Sequence, residues 1–249
     1  MTVFTKVKKL LPRENYLYFG DTKNMPYGEK SEQQLIDIAK NIFDFFAVKK
    51  VKAVVMACNT TSAVTYEKLK NNYDFKIYPI IQSVADILAR LPIKRLGVFA
   101  TPATIKAGVY TSEINKINQE MKIFETACPE WVKIVETGTE SQPQAAAIIR
   151  QNLEVMLKNK PEKIVLGCTH YPFLLPVLIT SAPADLFIDP ADYFAEYIQS
   201  DLKRENLQNT ENAAPFERFY VSADPANFKK SGAMFYQLKD EPVLSLNCK

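Results

Sequence analysis

Two segments constrain this chain more than any others: Val51–Ser62, reading VKAVVMACNTTS, and its echo Lys163–Pro172, reading KIVLGCTHYP. In each, a short apolar run ends on a cysteine, and small polar or hydroxyl residues follow at once. An unalternated run of this length suits a strand buried on both faces of a parallel sheet. Ligands of open α/β sheets sit beyond the carboxyl ends of such strands. The expectation is therefore two thiols, Cys58 and Cys168, each delivered to the mouth of a site by its own strand.

The rest of the chain fits that frame. Strands are expected near 16–19, 51–56, 77–81, 95–100, 122–126, 163–167, 186–188 and 216–221, with helices between most of them. The alternation predicts an α/β fold with mostly parallel sheets. Ser31 with Gln34 reads as a capping box, ahead of a helix whose face carries Leu35, Ile38, Ile42 and Phe45. Thr101-Pro102 reads as cap and first position of a helix running to about Asn118. Pro92 and Pro190 mark the breaks in the pattern.

Composition excludes several classes. Of 249 residues, 47% are hydrophobic, enough for a sizeable core. The net charge of +3, with no basic run interleaved with aromatics, argues against nucleic acid. Met1–Leu11 carries Lys6, Lys8 and Lys9 and is no secretory leader. No stretch is apolar enough to span a membrane. The 4 cysteines lie at 58, 128, 168 and 248 with no Cys-x-x-Cys, which fits reduced cytoplasmic thiols. No metal site and no phosphate or dinucleotide loop is present, and only 7 glycines are available to build one.

Among polar residues, Cys58 precedes a helix, whose N-terminus lowers a thiol pKa. Cys168-Thr169-His170 holds the chain's 1 histidine, two positions from a strand-end cysteine. Thr101 and Thr104 open a helix whose free N–H groups would suit a carboxylate as well as a cap. Pro26-Tyr27-Gly28 is a turn, and Glu136 reads equally as a solvated helix residue. Cys128 and Cys248 have no polar companions and read as structural. Two thiols facing one substrate suit inversion at carbon, with one acting as base on one face and the other as acid on the opposite face. Without a pyridoxal group, hydrogen bonds and helix N-termini must stabilise the carbanion.

At this point the sequence resembles the glutamate racemases, cofactor-independent enzymes of the aspartate/glutamate racemase superfamily. The resemblance rests on Tyr18-Phe19-Gly20-Asp21-Thr22, Met25–Ser31, Ala57–Ala63, Ala100–Ile105, Ala127-Cys128-Pro129 with Val135-Glu136, Gly167–Pro172, and Phe219-Tyr220 with Asp224-Pro225, in the family's order. It implies Cys58 and Cys168 as the two catalytic thiols, His170 assisting Cys168, and Glu136 in or beside the site. It implies that Pro26, Tyr27, Gly28, Asn59, Thr60, Thr101, Thr104 and Thr169 bind the substrate. It also implies two α/β lobes with the site in the cleft between them, residues 1–93 plus 190–249 and residues 94–189. Supply of D-glutamate for peptidoglycan, a homodimer and no cofactor follow from the same resemblance. The family opens with a strand and a Phe-Asp-Ser-Gly-x-Gly-Gly loop, and Met1-Thr2-Val3 matches the position just after it. Either the start is assigned late, at an internal methionine, or the protein is shortened; if shortened, the first lobe lacks a central strand, its neighbours' backbone groups are exposed, and the chain is less stable and poorly active. Rival readings are an aspartate or hydantoin racemase of the same superfamily, or an inactive relative with a binding role.

Overall fold

The structure is a computed structural model that describes residues 1–211, 213–232, 236, 238 and 243–245. In chain order its elements are α1 (Thr2–Leu10), β1 (Tyr16–Gly20), α2 (Glu32–Val48), β2 (Ala53–Met56), α3 (Asn59–Leu69), β3 (Lys76–Pro79) and α4 (Ile80–Ala89). Then come β4 (Arg95–Ala100), α5 (Pro102–Ala107), α6 (Val109–Asn115), β5 (Lys122–Ala127), α7 (Trp131–Glu136), α8 (Pro143–Leu157) and β6 (Lys163–Gly167). The chain continues with α9 (Leu175–Leu178), β7 (Phe187–Ile188), α10 (Pro190–Arg204), β8 (Glu217–Val221), α11 (Pro225–Gly232) and β9 (Val243–Ser245). Cys248 lies outside the described residues.

Among the described residues every strand pairing is parallel, in line with the mostly parallel sheets that the strand–helix alternation predicts. One sheet has the order β5-β4-β6-β7, a second β1-β8-β9, and a third is the pair β2-β3. Alternate residues of β4 point to opposite faces. Leu96, Val98 and Ala100 pack with α1, α4, α6 and α10 in one core. Phe99 turns the other way, into a core with Trp131 of α7, Ile149 of α8, and Ile164 and Leu166 of β6. The second cysteine strand is buried on both faces as expected, since Ile164, Val165 and Leu166 are all inaccessible.

The first cysteine strand departs from expectation. Val54 and Met56 are buried, but Val55 is 36% exposed. β1 and β2 are not paired with each other, and a cavity of about 900 Å³ is bounded by both strands and by α1 and α2. Val55 lines it. On α2, Leu35, Ala39 and Phe43 are buried most deeply, while Ile38, Ile42 and Phe45 are only half-buried. The apolar stripe on α2 is wider than the core beneath it. Ile42 faces the cavity, and Phe45 packs on Phe19 and Tyr220.

Local signals set the ends of elements. Ser31 and Gln34 form the reciprocal capping box. Thr101 caps α5, with Pro102 at its first position. The single helix expected to Asn118 is instead two, because Gly108 adopts a left-handed φ of 62° between α5 and α6. Among the described residues no helix is long and apolar enough to cross a membrane.

Candidate functional site

Cys58 is the N-cap of α3, with the extended backbone a cap requires. It follows β2 directly, and its carbonyl accepts from Ser62 N–H at 3.0 Å and from Thr61 Oγ1 at 3.1 Å. The first turn of α3 is polar yet buried: Asn59, Thr60, Thr61 and Ser62 are all nearly inaccessible. Buried polar groups need partners. Ser62 Oγ donates to Gln82 Oε1 at 2.8 Å and accepts from Ile81 N–H. Tyr110 O–H donates to Asn59 Oδ1 at 2.8 Å.

Cys168 follows β6, and its carbonyl accepts from Tyr171 N–H at 3.0 Å as the chain enters a 3-10 turn. Gly167 permits that placement: a Cβ there would lie 2.9 Å from the Phe99 carbonyl oxygen and 3.1 Å from the Tyr110 ring. Gly167→Ala is therefore expected to cost about 1–3 kcal/mol, read as a lower melting temperature, because the backbone carbonyl cannot step aside. Cys58 and Cys168 line the same cavity.

Behind Cys168 stands a relay. His170 Nδ1 is 3.7 Å from Cys168 Sγ, and His170 Nε2 is 2.6 Å from Glu136 Oε1. Glu136 thus sits beside the site at the end of α7. Burial works against a charged imidazole, but the hydrogen bonds and charges of Cys168 and Glu136 outweigh it and raise His170 to about 9. In return the hydrogen bond from His170 lowers Glu136 against its partial burial. For Cys58 the sequence expectation is overturned. Burial is the largest influence and pushes its thiol up. Backbone and hydroxyl hydrogen bonds from Thr61 and Thr60 only partly oppose this, and charge at Cys168 adds to it.

Three hydroxyls close a buried triangle across the sheets. Thr60 Oγ1 lies 2.9 Å from Thr101 Oγ1, Thr101 Oγ1 lies 2.9 Å from Thr104 Oγ1, and Thr104 Oγ1 reaches Thr60 Oγ1 at 3.4 Å. The Pro26-Tyr27-Gly28 turn abuts it: a Cβ on Gly28 would lie 3.0 Å from Thr101 Cβ. Thr169 carries a backbone contact, its carbonyl accepting from Thr2 Oγ1 at 3.2 Å. Every expected site residue except Thr104 therefore lines the cavity; Thr104 stands directly behind Thr101.

Sequence reasoning missed two residues. Asp21 Oδ2 accepts from Tyr27 O–H at 2.5 Å, while its Oδ1 accepts from Asn24 Nδ2 at 2.9 Å and Ser222 Oγ at 2.6 Å, which fastens the turn. The signal was an aspartate three residues before an asparagine within a turn-rich loop. Tyr110, on α6, has no sequence signal at all. Cys128 is fully buried, its thiol 3.7 Å from the Thr126 carbonyl, in keeping with a structural residue. Among the described residues no cluster of His, Cys, Asp and Glu could hold a metal ion.

The Asp/Glu/Hydantoin racemase family profile matches residues 3–198. The glutamate racemase of Thermoanaerobacter sp. (strain X514) is 35% identical over 249 residues, covering 99% of this chain and 93% of that protein. The glutamate racemase of Nostoc sp. is 36% identical over 233 residues, covering 93% of this chain and 79% of that one. Among solved structures, the Francisella tularensis glutamate racemase in complex with D-glutamate superposes with a TM-score of 0.92 at 28% identity, covering 100% of this chain and 93% of that one. The Thermus thermophilus glutamate racemase in complex with β-chloro-D-alanine gives 0.86 at 30% identity, with the same coverage. Two strand-end thiols on one cavity, a fold built of parallel sheets and a match along most of the chain lead to one assignment: the chain belongs to the Asp/Glu/Hydantoin racemase family.

Proposed function

We propose that the chain interconverts L- and D-glutamate without a cofactor, using Cys58 and Cys168 as paired proton carriers. The observation that carries this reading is that two thiols from separate strand ends line one cavity, with a His170–Glu136 pair behind only one of them. The similarity to proteins named glutamate racemase supports the choice of glutamate.

In one direction a thiolate at Cys168 takes the α-proton from one face of the substrate and becomes a thiol. The Cys58 thiol gives its proton to the other face and becomes the thiolate. The reverse reaction exchanges the roles, so no atom is gained or lost. His170 supplies compensating positive charge while Cys168 is a thiolate, and Glu136 holds His170 in place. N–H groups at the start of α3, with the hydroxyls of Thr60, Thr101, Thr104 and Thr169, hold the carboxylate on which negative charge accumulates. The side chain of Asn59 and the Pro26–Gly28 turn complete the binding wall.

We further read the chain as two lobes, residues 1–93 with 190–249 and residues 94–189, with the site between them. It acts as a cytoplasmic homodimer, and its product is D-glutamate for peptidoglycan. The test is proton NMR of D-glutamate and L-aspartate together in deuterated water. Thiol protons exchange with solvent, so turnover erases the α-proton signal. Loss on glutamate alone is expected. Loss on aspartate alone, or on neither, overturns the assignment.

A further inference from the structure

Asn59 is 2% exposed, and its two amide atoms are treated unequally. Oδ1 accepts the hydrogen bond from Tyr110 at 2.8 Å, while Nδ2 is equally buried and has no partner among the described residues. A buried N–H left unpaired costs about 1–3 kcal/mol, so a donor in this position on a cavity wall calls for an acceptor brought by a ligand. Which atom faces the ligand depends on the orientation of the amide, and a side-chain amide is free to turn end over end unless something distinguishes its ends.

Tyr110 makes that distinction. It is 1% exposed and does not line the cavity, so it touches no ligand itself. Its ring is wedged beside Gly167, where there is no room for a Cβ. Asn59 Oδ1 is the acceptor for its proton. A turned amide would set Nδ2 against the phenol and leave the phenol proton without that acceptor. Burial, followed by the charges of Cys168, Glu125 and Asp189, raises Tyr110 far out of the physiological range, so the hydroxyl remains a donor. The two residues come from different sheets: Asn59 from the helix after β2, Tyr110 from the helix pair after β4.

We propose that Tyr110 is a positioning residue whose hydroxyl fixes the Asn59 amide so that Nδ2 donates to the carboxylate of the bound amino acid. The inference rests on the glutamate reading. Loss of this donor should appear mainly in Kd and KM, with a smaller fall in kcat from the charge that builds on the same carboxylate.

The experiment is calorimetric titration of the full chain with D-glutamate, alongside steady-state racemisation. Tyr110→Phe, which keeps the ring, is expected to raise Kd and KM about tenfold, with kcat within about threefold. In an Asn59→Ala background, the same change should add less than about twofold, because the amide it positions is gone. Unchanged Kd in Tyr110→Phe, or an equal effect in both backgrounds, overturns the proposal. If Tyr110→Phe does not fold, Asn59→Asp carries the test. It keeps the acceptor for Tyr110 and removes the N–H, so it should lose at least about tenfold in affinity, and wild-type affinity would overturn the donor role. A wild-type chain that does not bind D-glutamate overturns the glutamate reading, and this inference with it. Wild-type binding that is insensitive to Tyr110 overturns this inference alone.

Discussion

Replacing either Cys58 or Cys168 by serine is expected to lower kcat at least about a thousandfold in both directions, with the melting temperature within a few degrees of wild type. A hydroxyl fills nearly the same space but is a far weaker acid, and its anion is not populated at neutral pH. In the proposed two-thiol mechanism each thiol accepts a proton in one direction and gives one in the other, so neither replacement can spare a direction. Circular dichroism, started from each enantiomer separately, reads both rates. Cys128→Ser is the control: that thiol is buried and bonded to the Thr126 carbonyl, away from the paired thiols' task. A Cys58 or Cys168 variant that keeps a tenth of wild-type kcat would sink the two-thiol mechanism.

The second large effect concerns His170. His170→Gln is expected to reduce kcat about a hundredfold by removing the cation beside Cys168. In the proposed mechanism the histidine serves one thiol only, yet enantiomers have an equilibrium constant of one. Both directions must then lose kcat/KM equally, and the asymmetry can appear only in kcat and KM taken separately. Equal losses of kcat in both directions would argue against a role tied to Cys168. The same residue sets a pH dependence of stability. Its folded pKa of about 9 lies above the ordinary value of about 6.5. A raised pKa means the folded state holds the proton more tightly, so the stabilisation is complete below pH 6.5 and fades as pH rises through 9. Glu136 is 37% exposed, and solvent screens the pair. A loss of about 1–2 kcal/mol across that window is expected, absent in His170→Gln when chemical unfolding is compared at pH 6.5 and 9.

What the sequence discloses and what it hides divide along physical lines. Strand ends, caps and the Cys58 and Cys168 settings are written locally, because an apolar run, a serine before a helix or a threonine before a proline acts within a few residues. Gly108 was present in the sequence, but whether a glycine interrupts a helix depends on what packs against each half. Val55 looked like core because periodicity reports hydrophobicity and not neighbours, and its neighbour here is a cavity. The direction of the Cys58 shift was misread because a helix N-terminus is visible in sequence, whereas the burial that outweighs it is not. Asp21 and Tyr110 act by reaching residues 201 and 51 positions away. No local pattern records such contacts. β9 pairs with β8 in a stretch that the sequence reads as a short loop and helix.

The core that joins α1, α4 and α10 to β4, β6 and α6 belongs to no single sheet. Leu96, Val98 and Val165 are fully inaccessible in a core to which α1, α4 and α10 contribute from outside the middle segment. Cutting the molecule at Pro92 and Pro190 would strip those helices and leave a bare apolar face on the excised middle segment. Cooperativity follows directly: calorimetry should show one melting transition, and opening of the site should proceed by sliding of packed helices, not by swinging about a free hinge.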